Sequence, residues 1–472
     1  MSRRFTYGST LEALPERVWD WHSRPGALER LMPPWDRVRV LRRTGCIADG
    51  DRTEIELRAG PFTLGWLAEH KDSDPGRGFT EWMVRGPFAS WTHRHNFDPV
   101  DPDRCRLTDD IEYRVPGGSV GRVAAGSLVD ERLSRTFAYR HRVTAGDLDL
   151  HDRYFGNRPA RFLVSGSTGL VGTALTALLS TGGHHVTRLI RGEGARQDPL
   201  GAARVEWDPV RGVLNPEAVS RHDVVVHLAG ENVAGGLWTE DRKARIRDSR
   251  VKGTQLLSRA LAAAPHPPEV LVCASAVGFY GDRGDLKVDE GSAAGSGFLA
   301  ETGEEWEQAA DAARQAGIRV VHLRIGIVLT PAGGALARML PPFRLGMGGP
   351  LGGGRQFWSW IALDDLLGAI LHVAASDHLD GPVNAVAPER VRNAEFSATL
   401  GRVLRRPAVM PAPAAALRIF LGEMADEMLL GGAQVLPSRL LESGFTFRYP
   451  ELEGALRHLL GRTIDRGSSE RE

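Results

Sequence analysis

The sequence predicts an α/β protein with a parallel, doubly wound sheet, preceded by a separate α+β domain in which antiparallel strands are closed by one long helix. Three observations carry this reading. The chain has 472 residues, whereas a single hydrophobic core stops growing at roughly 250–300 residues. Up to about Tyr113, aromatic and β-branched runs are bounded by Gly, Pro or Asp, as strands require. From Arg161 onward, short apolar runs alternate with segments long enough for helices, the pattern of a parallel sheet covered on both faces.

In the first part, Pro15 to His22 and Pro25 to Met32 read as two short helices, because proline is tolerated in a first helical turn. Strand-like segments follow, among them RVRVLRRTG, GFTEWMVRGPF and SWTHRHNF. After Pro116-Gly117-Gly118, Val120, Val123, Ala124, Leu128, Leu133 and Phe137 keep one helical face apolar, which predicts a long closing helix. Trp66, Trp82, Trp91 and Phe97 read as core aromatics. His93 and His95 alternate with polar neighbours and so share one side of a strand, but a third metal ligand is not evident, and no metal is expected. The polar stretch Asp147 to Pro159 reads as the domain boundary.

Composition narrows the function. Lys+Arg and Asp+Glu are both 59, so no global field draws the chain to nucleic acid or an acidic membrane. Its three cysteines, Cys46, Cys105 and Cys273, are too few and too widely spaced for a disulfide framework or a metal cluster, which fits a reducing cytoplasm. Neither a secretory signal nor an apolar run of membrane-spanning length is read in the sequence.

The central motif is Gly166-Ser167-Thr168-Gly169-Leu170-Val171-Gly172, which follows the apolar strand run Arg161 to Ser165 and opens an apolar helix. Strand, glycine turn and helix in this order make the dinucleotide-binding fingerprint of a Rossmann fold. The first glycine permits the tight turn, the second lets backbone approach a pyrophosphate, and the third lets helix pack on strand. The helix N-terminus then meets the phosphates with its partial positive charge. About 20 residues further on, where an acidic side chain would hold the ribose of NAD, stands Arg191. A guanidinium there suits the 2′-phosphate of NADP(H), with Arg188 as a helper, so NADP(H) is expected ahead of NAD.

Two family resemblances add to this. The N-terminal order, with Trp91, His93, His95, Phe97, Tyr113-Arg114-Val115-Pro116 and Tyr139-Arg140-His141, resembles the polyketide-cyclase and START-like (SRPBCC) helix-grip superfamily over residues 1–150. That resemblance implies a cavity for a hydrophobic ligand. Residues 160 to about 460, through HLAGENVAGGLWTEDRKARIRDSRVKGTQLL, SAVGFYGDRGD, WEQAA and GFTFRYPELEGAL, resemble the extended short-chain dehydrogenase/reductases, in an uncharacterised epimerase-family branch. This implies a cofactor domain over 160–390 and a small C-terminal domain over 391–462 that completes the substrate side. It also implies that Leu228, Ala229 and Gly230 form the loop under the cofactor and that Asp208 contacts adenine. Asp208 reads equally well as a turn-former before Pro209.

Catalytic residues carry over incompletely. The superfamily places a Tyr and a Lys four residues apart on one helix, so that the phenol exchanges a proton with substrate. The segment Phe298 to Ala316, expected to be that helix, contains neither, and Ala276 stands where the family has serine. Candidate replacements are Ser275, Tyr280 and Glu301, with Tyr280 equally readable as an aromatic packed on the cofactor edge. The resulting expectation is an NADP(H)-dependent oxidoreductase or epimerase acting on a small substrate. The alternative is a non-catalytic NADPH sensor that also holds a hydrophobic ligand.

Overall fold

A computed structural model describes residues 2–60, 62–116, 118–156, 158–192 and 201–462. The N-terminal part runs β1 (Arg3–Leu11), α1 (Pro15–Ser23), α2 (Ala27–Leu31), β2 (Val38–Arg43), β3 (Arg52–Ala59), β4 (Phe62–Asp74), β5 (Gly78–Arg85), β6 (Ser90–Asp101), β7 (Arg104–Arg114) and α3 (Gly118–Tyr154). The seven strands form one antiparallel sheet in the order β1-β7-β6-β5-β4-β3-β2. Period-two alternation turns Trp91, His93, His95 and Phe97 of β6 inward, together with Cys105, Leu107, Asp109, Ile111 and Tyr113 of β7. Leu133 and Phe137 of α3 pack on Trp91, Ile111 and Tyr113. The side chains of Val120, Val123 and Ala124 lie outside the described residues, as does Gly117. Helix α2 starts at Ala27, after the expected Pro25, because Gly26 turns the chain there with φ +100°.

The second part runs β8 (Arg161–Ser165), α4 (Leu170–Thr181), β9 (His185–Arg191), β10 (Ala203–Trp207), β11 (Val224–His227), α5 (Glu240–Ala262), β12 (Val270–Ala276), α6 (Phe298–Gln308), β13 (Arg319–Ile325), α7 (Leu363–Ala375) and β14 (Gly381–Ala385), with shorter elements between. These strands make a parallel seven-stranded sheet ordered β10-β9-β8-β11-β12-β13-β14. Successive residues serve opposite faces. Phe162, Val164, Val224 and Val226 join α4 and α7 in one core, while Leu163, Val225 and Leu271 join Leu257 and Leu261 of α5 in another. The order reverses direction between β8 and β11, and open sheets of this kind bind ligands at such a switch point.

Several expectations change. Helix α3 runs on to Tyr154 through the polar stretch read as the domain boundary, because one face of that stretch is buried: Asp147 is fully buried and Leu148 and Leu150 face cores, while Asp149, Asp152 and Arg153 stay exposed. The segment Phe298 to Ala316 is two helices, α6 and a short one at Asp311–Gln315. At the break Ser258 of α5 intervenes, its hydroxyl donating to Ala310 O and accepting from Ala313 N. Strands β10 and β14 carry no clear strand signal in the sequence; β14, GPVNA, holds a proline that only an edge strand tolerates. The C-terminal helices Asn393–Leu404 and Leu452–Leu459 share a core with Trp358, Trp360 and Leu336.

The two parts are docked through a buried ionic cluster. Arg30 of α2 donates a pair of hydrogen bonds to Asp147 of α3, Nε to Oδ2 at 2.8 Å and Nη2 to Oδ1 at 2.7 Å, and Nη2 also reaches Asp364 Oδ1 of α7 at 3.0 Å. His458 holds the other Asp364 oxygen at 2.9 Å. Burial alone would raise the Asp364 pKa, but Arg30 and His458 outweigh it and hold this carboxyl well below its usual range. Removing one partner of a buried pair costs about 3–5 kcal/mol, because the remaining charge stays desolvated. Arg30→Met therefore lowers stability by about that amount, read as a fall in the urea midpoint, and adding Asp147→Asn and Asp364→Asn restores part of it. A shift below about 1 kcal/mol in the single variant rejects this role for Arg30.

Candidate functional site

At the switch point the chain leaves β8 through Gly166, whose φ of +65° is available to glycine and strained for other residues. A Cβ there would stand 2.6 Å from the Leu228 carbonyl carbon, so the turn passes directly over the loop after β11. A Cβ on Gly172 would stand 2.2 Å from Gly166 O, which is why α4 can pack this close to the turn only with glycine. Gly169 is the N-cap of α4 and supplies no capping side chain, and the first turn has no acidic residue. The opening amides of this 12-residue helix therefore face outward as anion donors.

A polar chain under the sheet fixes the loop opposite. Ser165 Oγ accepts from Leu228 N at 3.1 Å and meets His227 Nδ1 at 2.6 Å. His227 Nε2 meets Thr254 Oγ1, to which Trp306 Nε1 also donates. Burial pushes the His227 pKa down to about 4, so the imidazole is neutral and serves as a two-sided spacer.

Between these elements lies a cleft of about 890 Å³. Its walls include Gly166, Ser167, Thr168 and Gly169 on one side and Leu228, Ala229 and Gly230 on the other. Leu170 and Val171 belong to the turn by backbone only: Leu170 packs toward Gly333, and Val171 joins the core beneath. Among the described residues five cations border the cleft, Arg188, Arg191, Arg204, Arg245 and Lys252, against two carboxylates, Glu231 and Asp248. Arg191 is exposed at the end of β9, whereas Arg188 is drawn to the turn, with Nε donating to Ser167 Oγ at 3.0 Å and Nη2 to Ser167 O at 3.2 Å. Arg204, Arg245 and Lys252 do not stand out in the sequence. A signal for the last two is nevertheless present, since 245, 248, 249 and 252 fall on one face of α5 and all border the cleft.

Asp208 sits as the turn-former: its Oδ1 accepts from Val210 N and Arg211 N, both at 3.0 Å. The adjacent cleft wall is made by Trp207, Pro209 and Val210. The Asp208 carboxylate is thus engaged in its own turn, the second of the two readings that the sequence leaves open.

The catalytic candidates are not gathered around a solvent-facing point. Ser275 is buried and donates to Glu307 Oε1 at 2.7 Å. Glu307 is held by Arg324 through two 2.8 Å hydrogen bonds, and Arg324 Nη1 donates to the Tyr280 hydroxyl at 2.9 Å. That hydroxyl donates in turn to Asn384 Oδ1 at 2.7 Å, and Tyr280 is fully buried. Burial raises its pKa, with Arg324 and Asn384 opposing. Glu301 stands apart, exposed on α6. Glu307 and Arg324, absent from the sequence candidates, are the centre of this network, which ties β12, β13 and β14 together below the cleft. The proton-donor role expected of Tyr280 is disfavoured by this geometry, because both hydrogen-bonding capacities of its hydroxyl are spent inside the core.

Comparison with known proteins agrees with this architecture. Residues 162–385 match the NAD dependent epimerase/dehydratase family, 11–142 match polyketide cyclase / dehydrase and lipid transport, and 412–459 match a domain of unknown function, DUF1731. An epimerase family protein of Mycobacterium bovis is 43% identical over 293 residues, which cover 62% of this chain and 95% of that one. A solved structure of a nucleoside-diphosphate sugar epimerase from Corynebacterium glutamicum is 34% identical, spans 97% of this chain and 90% of its own, and superposes with a TM-score of 0.77. Human epimerase family protein SDR39U1, crystallised with NADPH, is 37% identical, covers 64% of this chain and all of its own, and gives a TM-score of 0.57. A glycine turn at the switch point, a seven-stranded parallel sheet and these relatives together make the chain a member of the NAD dependent epimerase/dehydratase family, carrying an N-terminal polyketide-cyclase-like domain.

Proposed function

We propose that the protein is an NADP(H)-dependent oxidoreductase or epimerase of the extended short-chain dehydrogenase/reductase class acting on a small substrate. The observation that carries this is the glycine turn at the uncapped N-terminus of α4, opening onto a cleft that Arg188, Arg191, Arg204, Arg245 and Lys252 border. A dinucleotide diphosphate fits there, because the turn at Gly166, Ser167 and Thr168 and the uncapped opening amides of α4 face it, and a Cβ on Gly166 or Gly172 would collide with neighbouring backbone. Leu228, Ala229 and Gly230 form the floor, and Arg191 is assigned to the 2′-phosphate, in a positive field to which Arg204, Arg245 and Lys252 contribute. The NADPH in the crystal of the human relative supports this choice. When bound, the nicotinamide supplies or accepts the hydride. This chain's own work is to orient it and to keep water from it. On this reading residues 1–150 form a ligand-binding unit, 160–390 the cofactor unit, and 391–462 complete the substrate side.

The non-catalytic reading has one specific observation in its favour. Helix α6 carries neither Tyr nor Lys, and Ser275 and Tyr280 are closed into the core. Under that reading the cleft binds NADPH and signals its presence. Incubations with NADPH or NADP⁺ and a panel of carbonyl compounds and nucleoside-diphosphate sugars separate the two: substrate-dependent change of absorbance at the nicotinamide band supports an oxidoreductase, conversion of a sugar to its epimer without net absorbance change, read by chromatography, supports an epimerase, and cofactor binding with neither across the panel supports the sensor.

The N-terminal unit is proposed to hold a hydrophobic ligand in the cavity of about 400 Å³ between sheet and α3, walled by Leu31, Ile55, Leu57, Trp66, Trp91 and Phe137 among others. Ala68, buried on this wall, is a position where bulk can be added. Ala68→Trp should abolish binding of a fluorescent fatty-acid probe to the full chain while NADPH affinity is unchanged; retained probe binding counts against the cavity.

Two further outcomes test the cofactor assignments. Arg191→Ala should weaken NADPH about tenfold or more and leave NADH nearly unaltered, since a charge-assisted hydrogen bond contributes about 1.5–3 kcal/mol; equal losses in titration calorimetry overturn the assignment. Tyr280→Phe leaves Arg324 and Asn384 each short of a buried partner, so it should cost about 1–3 kcal/mol of stability without changing NADPH affinity. A loss of turnover by about a hundredfold or more, at unchanged stability, would instead restore Tyr280 as the proton donor.

A further inference from the structure

On the cavity face of the N-terminal sheet the fold supplies the ligand that His93 and His95 lacked. Strands β6 and β7 pair with His95 opposite Asp109, and alternation turns His93, His95 and Asp109 to the same side, where they are 2%, 7% and 3% exposed. His93 Nε2 lies 2.7 Å from Asp109 Oδ1. His95 Nδ1 is also 2.7 Å from that oxygen, yet it lacks the alignment of a hydrogen bond and has no other partner. The three ligand atoms lie within 4.8 Å of one another. The second carboxylate oxygen is occupied by His141 Nε2 at 2.5 Å, and His141 Nδ1 is in turn fixed by Ser9 Oγ at 2.7 Å.

We propose that His93 Nε2, His95 Nδ1 and Asp109 Oδ1 bind one first-row divalent cation of the zinc type at the wall of the N-terminal cavity, with His141 and Ser9 as positioning residues that hold the carboxylate. Donor chemistry selects the ion class: two imidazoles and one carboxylate suit zinc, cobalt, nickel or iron, whereas calcium and magnesium take oxygen sets. Charge balance points the same way. The cluster buries one carboxylate among three imidazoles, those of His93, His95 and His141, each 2.5–2.7 Å from a carboxylate oxygen. Arg140, which feels the Asp109 charge, spends its guanidinium on Leu31 O at 3.2 Å and on the face of Phe137 at 5.0 Å. A divalent ion would pair with the buried carboxylate and give the misaligned His95 nitrogen a partner.

The geometry is within reach. Ligand atoms about 2.0–2.1 Å from a tetrahedral ion stand roughly 3.3 Å apart, so the two 2.7 Å contacts need to open by about half an ångström. Three protein ligands leave a fourth position, and His93 and His95 both border the cavity. A ligand there with one oxygen or nitrogen donor could therefore reach the ion. The ion site stands on its own, independent of the NADP(H) reading and of what fills the cavity.

The test uses the full chain without an affinity tag, freed of metal by a chelator and titrated with Co²⁺ and with Zn²⁺. The expected result is one equivalent bound, with cobalt d–d bands of a four- or five-coordinate nitrogen and oxygen site and no sulfur-to-metal charge-transfer band. His93→Gln and His95→Gln, which retain a polar group against Asp109, should each lower affinity by about 100-fold or more. His141→Gln should lower it about 10–100-fold, the range seen for residues that orient a ligand. Circular dichroism checks that each variant is folded. Should a variant fail to fold, the wild-type titration still decides, because absence of stoichiometric binding to the wild-type chain overturns the proposal. A cobalt spectrum unchanged in His95→Gln, or one with a thiolate band, overturns it equally by placing the ion elsewhere.

Discussion

Arg30 is a buried guanidinium that two separate helices must satisfy. It comes from a five-residue helix, α2, too short to be stable alone, and it is met by Asp147 from α3 and Asp364 from α7. Neither carboxylate could remain charged in this interior without it, and the cation could not be buried without them. The docking of the N-terminal unit on the second sheet is therefore fixed in register as well as in contact. His458 extends the same cluster to the last helix, with Tyr139 and Tyr449 stacked on either side of its ring at 5.2 and 4.4 Å. Ends of the chain that are far apart in sequence are thus held by one set of charges, which explains why the polar stretch before β8 stays helical rather than becoming a free linker.

With the scaffold fixed, the cleft depends on two close approaches of backbone to backbone. Gly166 lies over Leu228, and α4 lies against Gly166 through Gly172. The chain Ser165, His227, Thr254 and Trp306 then sets the height of the floor, by hydrogen bonds that cross from β8 to β11 to α5 to α6. A neutral imidazole suits this place because it can bridge one hydroxyl on each side at no charge cost. The network of Ser275, Glu307, Arg324, Tyr280 and Asn384 ties the neighbouring strands β12, β13 and β14 together in the same way.

How much of this is legible in the sequence follows from how local each signal is. The glycine turn, β8, β9, β11, β12 and β13 are readable because turn chemistry and apolar runs are properties of contiguous residues. Arg191 is readable because its distance from the turn is fixed by the fold. Arg245 and Lys252 are readable in principle from their helical spacing, but only the sheet order shows that this face of α5 meets the cleft. Asp147 misleads because polarity usually means solvent, and its partner Arg30 is 117 residues away. Asp109 is invisible beside His93 and His95 for a similar reason: its place opposite His95 is a matter of strand register, which a one-residue slip would destroy. Glu307 and Arg324 lie on an α6 helix and a β13 strand whose contact no sequence period announces.

The placement of the two units bears on what a fusion of this kind can do. Helix α4 begins at the cofactor turn, and the N-terminal unit meets its far end, where Gly26 abuts Ala177 O and Arg24 donates to Thr181 O at 3.0 Å. Twelve helical residues span about 18 Å. The helix α2 that abuts α4 also lines the hydrophobic cavity through Ala27, Leu28 and Leu31. Cavity and cleft are therefore mechanically adjacent but separated by the length of a helix. Any influence of one on the other would run through the contact of α2 with α4, because a packed interior transmits small displacements rather than absorbing them. Such coupling requires that the occupant favour one arrangement of α2 over another, and the short helix, held at one end by Gly26 and at the other by Arg30, is the element on which that preference would act.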